Sequence, residues 1–162
     1  MDNILKIIPL TKEYAIDNSD NILKLERNWI EIGDIPWNLE NLLYDLPMKW
    51  DLSYVSKFNN QFIGYQIASK QRDNVFLHKI IVDQSVRGIG VGKRLLYELL
   101  KKSTEYGFEK INFKVRLDNK AYGFYDKLGF KKLDEIDHSR PDGIKCYYYD
   151  TVIKDVMGNF SF

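Results

Sequence analysis

From Ile80 to Leu96 the chain reads IIVDQSVRGIGVGKRLL: an apolar strand, a short loop, three glycines at alternate positions, and a helix. Glycine lets backbone approach a ligand closely. A helix N-terminus adds unspent N–H donors and a partial positive charge. Arg87, Lys93 and Arg94 add full charges beside them. Together they suit a phosphate or pyrophosphate. Spacing separates the loops that do this. G-x-G-x-x-G begun at Gly88 needs glycine at 93, which is lysine; begun at Gly90 it needs glycine at 95, which is leucine. G-x-x-x-x-G-K-[ST] needs glycine at 87 and Ser or Thr at 94, and both are arginine. The form that fits is [Q/R]-x-x-G-x-[G/A], met by Arg87, Gly90 and Gly92.

Further candidates lie on both sides of that loop. In DNKAYGFYDKLGF (118–130), Ala121, Phe124, Tyr125 and Leu128 recur at helical spacing, and Gly129 follows as a helix stop. Asp118 is placed to cap this helix. The Tyr125 phenol can protonate a leaving group, although the same face would make it a core tyrosine; Tyr122 is a lesser candidate. The strand Val75 to Val82 holds no carboxylate, and His78 is its one residue that titrates near neutrality. It is the candidate general base, with Tyr148, Asp150 and Glu31 as alternatives acting through water. Cys146 alternates with Ile144 and Tyr148 and reads as a buried structural thiol.

The elements that must position these groups follow from periodicity. Leu5 to Ile8 reads as a strand ended by Pro9. Ser19 to Ile32 reads as a helix stopped by Gly33, and Asn38 caps a second helix ended by Pro47. Leu52–Lys57 and Phe62–Ser69 form a hairpin around Asn59-Asn60. After the strand at 75–82 come a helix at 89–105, a strand at Lys110–Val115, the Tyr125 helix, and strands at Phe130–Leu133 and Ile144–Ile153. The layout is α/β, with a mixed sheet and helices on its faces. A length of 162 residues predicts one domain over 1–162, with 157–162 as a loose tail onto which Phe160 and Phe162 alone could impose packing. No apolar run approaches the roughly 18 residues of a membrane span, and the opening residues show no secretory signal. One cysteine and two distant histidines leave no disulfide framework and no metal-ligand spacing. The expectation is a cytoplasmic protein without a metal.

With both motifs in place, the chain resembles the GCN5-related N-acetyltransferase (GNAT) family. The glycine loop has the form of that family's acetyl-CoA pyrophosphate loop and sits, as there, between the fourth strand and the third helix. Ala121, Tyr125, Gly129 and Phe130 fall in register with the family's N-x-x-A-x-x-x-Y-x-x-x-G-F segment. The resemblance implies the acyl-CoA N-acyltransferase fold: a mostly antiparallel central sheet with helices on both faces, whose fourth and fifth strands splay to admit the cofactor arm. It implies acetyl-CoA as co-substrate. Arg87, Gly88, Ile89, Gly90, Val91, Gly92 and Lys93 would hold the pyrophosphate, Ile80, Ile81 and Val82 the pantetheine near a bulge, and a backbone N–H of that strand the thioester oxyanion. Tyr125 would protonate the departing thiolate, with Tyr122 beside the same cleft. The family asparagine that bonds pantetheine falls on Asp118, and Asn119, one residue on, is taken to serve in its place.

The implied activity is transfer of an acetyl group to a primary amine, directly, in a ternary complex. A non-catalytic acyl-CoA-binding sensor of the same fold is the alternative. The acceptor, a small molecule or a peptide, is expected between the first helices and the last strands. Trp29, Trp37 and Trp50 lie there with a charge balance of −4 over residues 31–51, which suits a cationic amine. Residues 86–132 carry twelve Lys/Arg against five Asp/Glu, a basic segment facing an anion. It lacks the aromatic–basic pattern of a nucleic-acid surface, so no nucleic-acid or membrane partner is expected. A homodimer is left open.

Overall fold

A computed structural model describes residues 4–30, 33–86 and 88–162. Arg87 and Glu31, both singled out above, lie outside them. The elements are β1 (Leu5–Pro9), α1 (Lys12–Asp17), α2 (Ser19–Trp29), α3 (Leu39–Leu43), α4 (Lys49–Leu52), β2 (Tyr54–Phe58), β3 (Gln61–Gln71) and β4 (Asn74–Val82), then α5 (Val91–Glu105), β5 (Lys110–Arg116), α6 (Ala121–Lys127), β6 (Lys132–Asp137), β7 (Cys146–Val152) and α7 (Lys154–Met157). The strands form one sheet in the order β1-β2-β3-β4-β5-β7-β6. The β4–β5 pair is parallel and the other described pairs are antiparallel.

Local chemistry accounts for most boundaries. Asn59 and Asn60 both adopt positive φ, 51° and 66°, as a two-residue hairpin turn of the twist-matching type requires. The sequence pattern passes over α1 because one turn and a half buries a single apolar residue, Ala15. Thr11 starts that helix, its side chain accepting from the Tyr14 N–H at 3.0 Å. α3 opens with a reciprocal capping box between Asn38 and Asn41. β6 begins at Lys132 rather than Phe130: the Phe130 N–H donates to the Tyr125 carbonyl at 3.1 Å, closing the end of α6.

Helices cover both faces of the sheet. α1, α2 and α3 bury Ala15, Ile22, Leu25 and Leu42 against Val55, Tyr65 and Ile67. On the other face α5 buries Leu96, Leu99 and Leu100 against Ala68, Val75, Leu77 and Ile111. Residues 154–162 are not the loose tail expected from 157 onward. α7 buries Val156, Asn159 donates to the Leu128 carbonyl at 2.9 Å, and Phe160 and Phe162 pack on Tyr97 of α5. Among the described residues no helix is long and apolar enough to cross a membrane.

Two irregularities shape the sheet's centre. In the β3–β4 register Ile67 faces Lys79 and Ala68 faces Leu77, so His78 is the extra residue of a bulge. β4 and β5 are bonded only through Val75–Ile111 and Phe76–Asn112. Beyond that the parallel strands diverge. A chain of side-chain amides closes the bonded end: the Asn74 amide N–H donates to the Asn112 side-chain oxygen at 2.9 Å, and the Asn112 amide N–H donates to an Asp150 carboxylate oxygen at 2.8 Å.

Candidate active site

The divergence of β4 and β5 opens a cleft of about 760 Å³ whose walls include both strands, the end of α2 and the start of α6. Of the residues singled out in the sequence, it brings together His78, Ile80, Ile81, Val82, Gly92, Asn119 and Tyr125. Backbone groups of β4 that would otherwise bond β5 face this opening, as obligatory donors and acceptors in want of a partner.

The glycine loop lies at one end. Gly88 and Gly90 adopt φ of 78° and 70°, a region that favours glycine. A Cβ at either would meet nothing within 4 Å, so backbone conformation rather than crowding sets the residue type. Gly90 occupies the N-cap of α5 without a side-chain cap. The N–H groups of Gly88, Ile89, Gly90, Val91, Gly92 and Lys93 make no hydrogen bond to any described residue, the first helical bond being Arg94 N–H to the Gly90 carbonyl at 2.9 Å. A row of unspent donors at the start of a 15-residue helix fits a pyrophosphate. The Lys93 ammonium itself donates to the Ser161 carbonyl at 3.0 Å.

Tyr125 stands on the buried face of α6, 5% exposed, with its ring 4.5 Å from Phe113. Its hydroxyl makes no hydrogen bond to any described residue although the residue lines the cleft. Burial pushes the phenol well above its ordinary pKa, so it is held protonated as a donor. At the start of α6 it is Asn119 rather than Asp118 whose side chain meets the helix: its oxygen accepts from the Ala121 N–H at 2.8 Å, just before the N-cap residue Lys120. Asp118 instead takes Arg116 in two bonds of 2.9 and 2.7 Å. Tyr122 is not brought to the cleft; its ring packs on Tyr147 at 5.5 Å, beneath Lys132.

His78 is hydrogen-bonded to the Ser69 hydroxyl at 2.7 Å. Burial first, and then the Lys49 charge, pull its pKa down to about 4. The imidazole is therefore neutral at neutral pH and a weak proton acceptor. Tyr148 and Asp150 lie elsewhere, around a polar hollow with Asn74 and Asn112 beyond the closed end of the wedge. Cys146 is buried on β7, opposite Arg116, and lines the cleft without a histidine partner among the described residues.

The acceptor side holds what the sequence reading did not find. Glu26 of α2 is fully buried. It pairs with Lys79 of β4, and also accepts from the Trp37 backbone N–H at 2.8 Å and the Tyr65 hydroxyl at 3.3 Å. The Lys79 ammonium lies 4.4 Å over the Trp37 ring. The signal was present: Glu26 falls on the same helical stripe as Ile22, Leu25 and Trp29, where a carboxylate must find a partner. Nearby, Asp34 accepts from Arg116 at 3.0 Å and Arg140 at 3.3 Å, tying the loop after α2 to the end of β5 and to the β6–β7 loop. Two of the acids of 31–51 are taken up by neighbours. Asp34 is neutralised by two arginines, and Asp45 is taken by Lys12 and Trp50.

Comparison with known proteins agrees with this geometry. A sequence model of the Acetyltransferase (GNAT) family matches residues 22–130. The ribosomal protein bS18-alanine N-acetyltransferase of Haemophilus influenzae is 31% identical over 101 residues, 62% of this chain and 68% of its own length. Among solved structures, the ribosomal-protein-S18-alanine N-acetyltransferase from Escherichia coli superposes with a TM-score of 0.76 at 20% identity, over 98% of this chain and 100% of that one. Arabidopsis thaliana Naa50, solved with the bisubstrate analogue CoA-Ac-MVNAL, gives a TM-score of 0.72 at 18% identity, over 91% and 97%. The splayed sheet, the open glycine loop and the family match converge: the chain belongs to the Acetyltransferase (GNAT) family and is an acetyl-CoA-dependent N-acetyltransferase.

Proposed function

We propose that the acceptor is the α-amino terminus of a polypeptide, acetylated directly in a ternary complex. The observation that carries this reading is that the titratable side chains lining the described cleft include no strong base, Glu31 lying outside the described residues. Lys79, Arg116 and Arg140 are cations held in ion pairs, and Asp34 is spent on two arginines. Passing a proton from an α-ammonium near 8 to His78 near 4 is uphill by about 5 kcal/mol. An α-amine needs little help: at pH 7.5 roughly a quarter of it is already neutral, against about 0.1% of a lysine-type amine. The remaining proton leaves through water, and His78 acts as a neutral hydrogen-bonding group. Two of the similar proteins have names that specify an acceptor of this class, an alanine of a ribosomal protein and a peptide joined to CoA, whereas a third is named for the small molecule streptothricin.

In this reading the N–H groups of Gly88 to Lys93, with Arg87, hold the pyrophosphate. Ile80 to Val82 hold the pantetheine amides in strand fashion along the splayed edge, with Asn119 beside them. The amine nitrogen bonds to the acetyl carbon and the carbon–sulfur bond breaks. The thiolate takes the Tyr125 proton, and the proton shed by the nitrogen passes to solvent. Steady-state assays on two peptides of one sequence, one with a free N-terminus and one N-blocked with an internal lysine, test the acceptor class. The expected result is a kcat/KM at least about 100-fold higher for the free N-terminus at pH 7.5, following the neutral fractions above. Equal rates, or preference for the lysine, would overturn it.

A further inference from the structure

Beside the glycine loop lies a group of residues that no motif assigns. The first turns of α5 present Lys93, Arg94 and Tyr97, and residues 160–162 cross over them. The Lys93 ammonium donates to the Ser161 carbonyl at 3.0 Å. The Arg94 guanidinium lies 4.2 Å from the centre of the Phe162 ring, and Lys93 lies 5.7 Å from it. Tyr97 is bracketed by Phe160 at 5.7 Å and Phe162 at 5.3 Å. The segment is anchored from behind by the Asn159 bond to the Leu128 carbonyl and by Phe160 against the core.

Two features mark this patch as more than packing. Lys93 and Arg94, neighbours on the first turn of α5, are in no ion pair among the described residues, so two adjacent cations flank the glycine loop without a carboxylate partner. And Phe162, itself 60% exposed, offers ring surface next to them. A guanidinium stacked on a ring keeps its N–H edge outward, and a lysine with one bond spent keeps two donors. Exposed aromatic surface with two unneutralised cations suits a purine carrying a phosphate.

We propose that Lys93, Arg94 and Tyr97, with Phe160 and Phe162, form a platform for the 3′-phosphoadenosine end of acetyl-CoA, Phe162 stacking the base and Arg94 reading the 3′-phosphate. Lys93 and Arg94 follow the glycine loop directly on α5, so the platform adjoins the place proposed for the pyrophosphate. The platform gives residues 160–162 a part in cofactor affinity and none in the chemistry.

Calorimetric titrations of CoA, dephospho-CoA and 4′-phosphopantetheine into wild type, Arg94→Ala and Phe162→Ala test this without any turnover. Wild type should bind CoA roughly tenfold more tightly than dephospho-CoA, and Arg94→Ala should close that gap. Phe162→Ala should weaken CoA and dephospho-CoA by roughly tenfold while leaving 4′-phosphopantetheine unchanged. Equal wild-type affinities for CoA and dephospho-CoA would overturn the phosphate assignment. Tighter binding by Phe162→Ala would overturn the platform altogether, making the segment a cover over the site. Failure of all three ligands to bind wild type would instead count against the cofactor site as a whole.

Discussion

Phe76 faces Asn112 across the last bonded pair of β4 and β5, and past that pair the strands part. Asn112 thus stands at the apex of the wedge, bonded to Asn74 on one side and Asp150 on the other. It is 7% exposed, so replacing its amide strands two polar partners. Asn112→Leu should lower stability by about 1–3 kcal/mol, read as a fall in urea midpoint with an unchanged m-value.

Glu26 and Lys79 hold α2 onto β4 at the acceptor wall. Removing one charge leaves the other buried and alone. Glu26→Gln should cost about 3–5 kcal/mol, and Glu26→Gln with Lys79→Met should recover much of it. A double-mutant cycle by denaturant unfolding measures the coupling; additive single and double losses would show that the pair is not the unit.

The buried imidazole of His78 ties stability to pH. Its folded pKa, about 4, lies below the ordinary 6.5. Between those values the unfolded chain binds more protons, so stability is full above about 6.5 and is lost as pH falls towards 4. The shift corresponds to at most about 3 kcal/mol. Comparing unfolding of wild type and His78→Gln at pH 4.5 and pH 7 should show the smaller pH loss in the variant.

Tyr125→Phe keeps the ring packing on Phe113 and removes the one hydroxyl among the described cleft-lining residues, which bonds to no described residue. kcat should fall by about 100-fold or more while the Kd of acetyl-CoA stays within about twofold. Unchanged kcat would move the acid elsewhere.

The Asp34 bridge to Arg116 and Arg140 joins the loop after α2 to the end of β5 and to the β6–β7 loop over the acceptor side. Asp34→Asn should raise the acceptor KM with little change in acetyl-CoA affinity. Wild type should show the same trend as ionic strength rises, because these pairs are partly exposed and screened.

How far the sequence reached follows from what leaves a local trace. The glycine loop was legible because Gly88 and Gly90 need left-handed backbone, which dictates residue type position by position. Tyr125 was legible because offsets of three and four set it on a helix face. The divergence of β4 and β5 was not legible from pattern: Phe76 to Val82 keep a strand's composition whether or not a neighbour is bonded. It came only with the family resemblance. Glu26 and Lys79 stand 53 residues apart, and nothing local names either as the other's partner. Residues 160–162 looked like a tail because their partners, Lys93, Arg94 and Tyr97, lie on a helix read for its apolar stripe alone. Asp118 does not take the expected place at the start of α6 because Arg116, two residues before it, takes the aspartate first, and the Asn119 side chain meets the Ala121 N–H there instead.

The assignment of the wedge and glycine loop to acetyl-CoA is tested most directly by titrating acetyl-CoA into wild type and Gly90→Val. Valine at φ 70° is strained and displaces the row of N–H donors. Micromolar-range binding by wild type, lost in a variant that still unfolds cooperatively, is the expected result. No binding by wild type, or binding indifferent to the substitution, would contradict it.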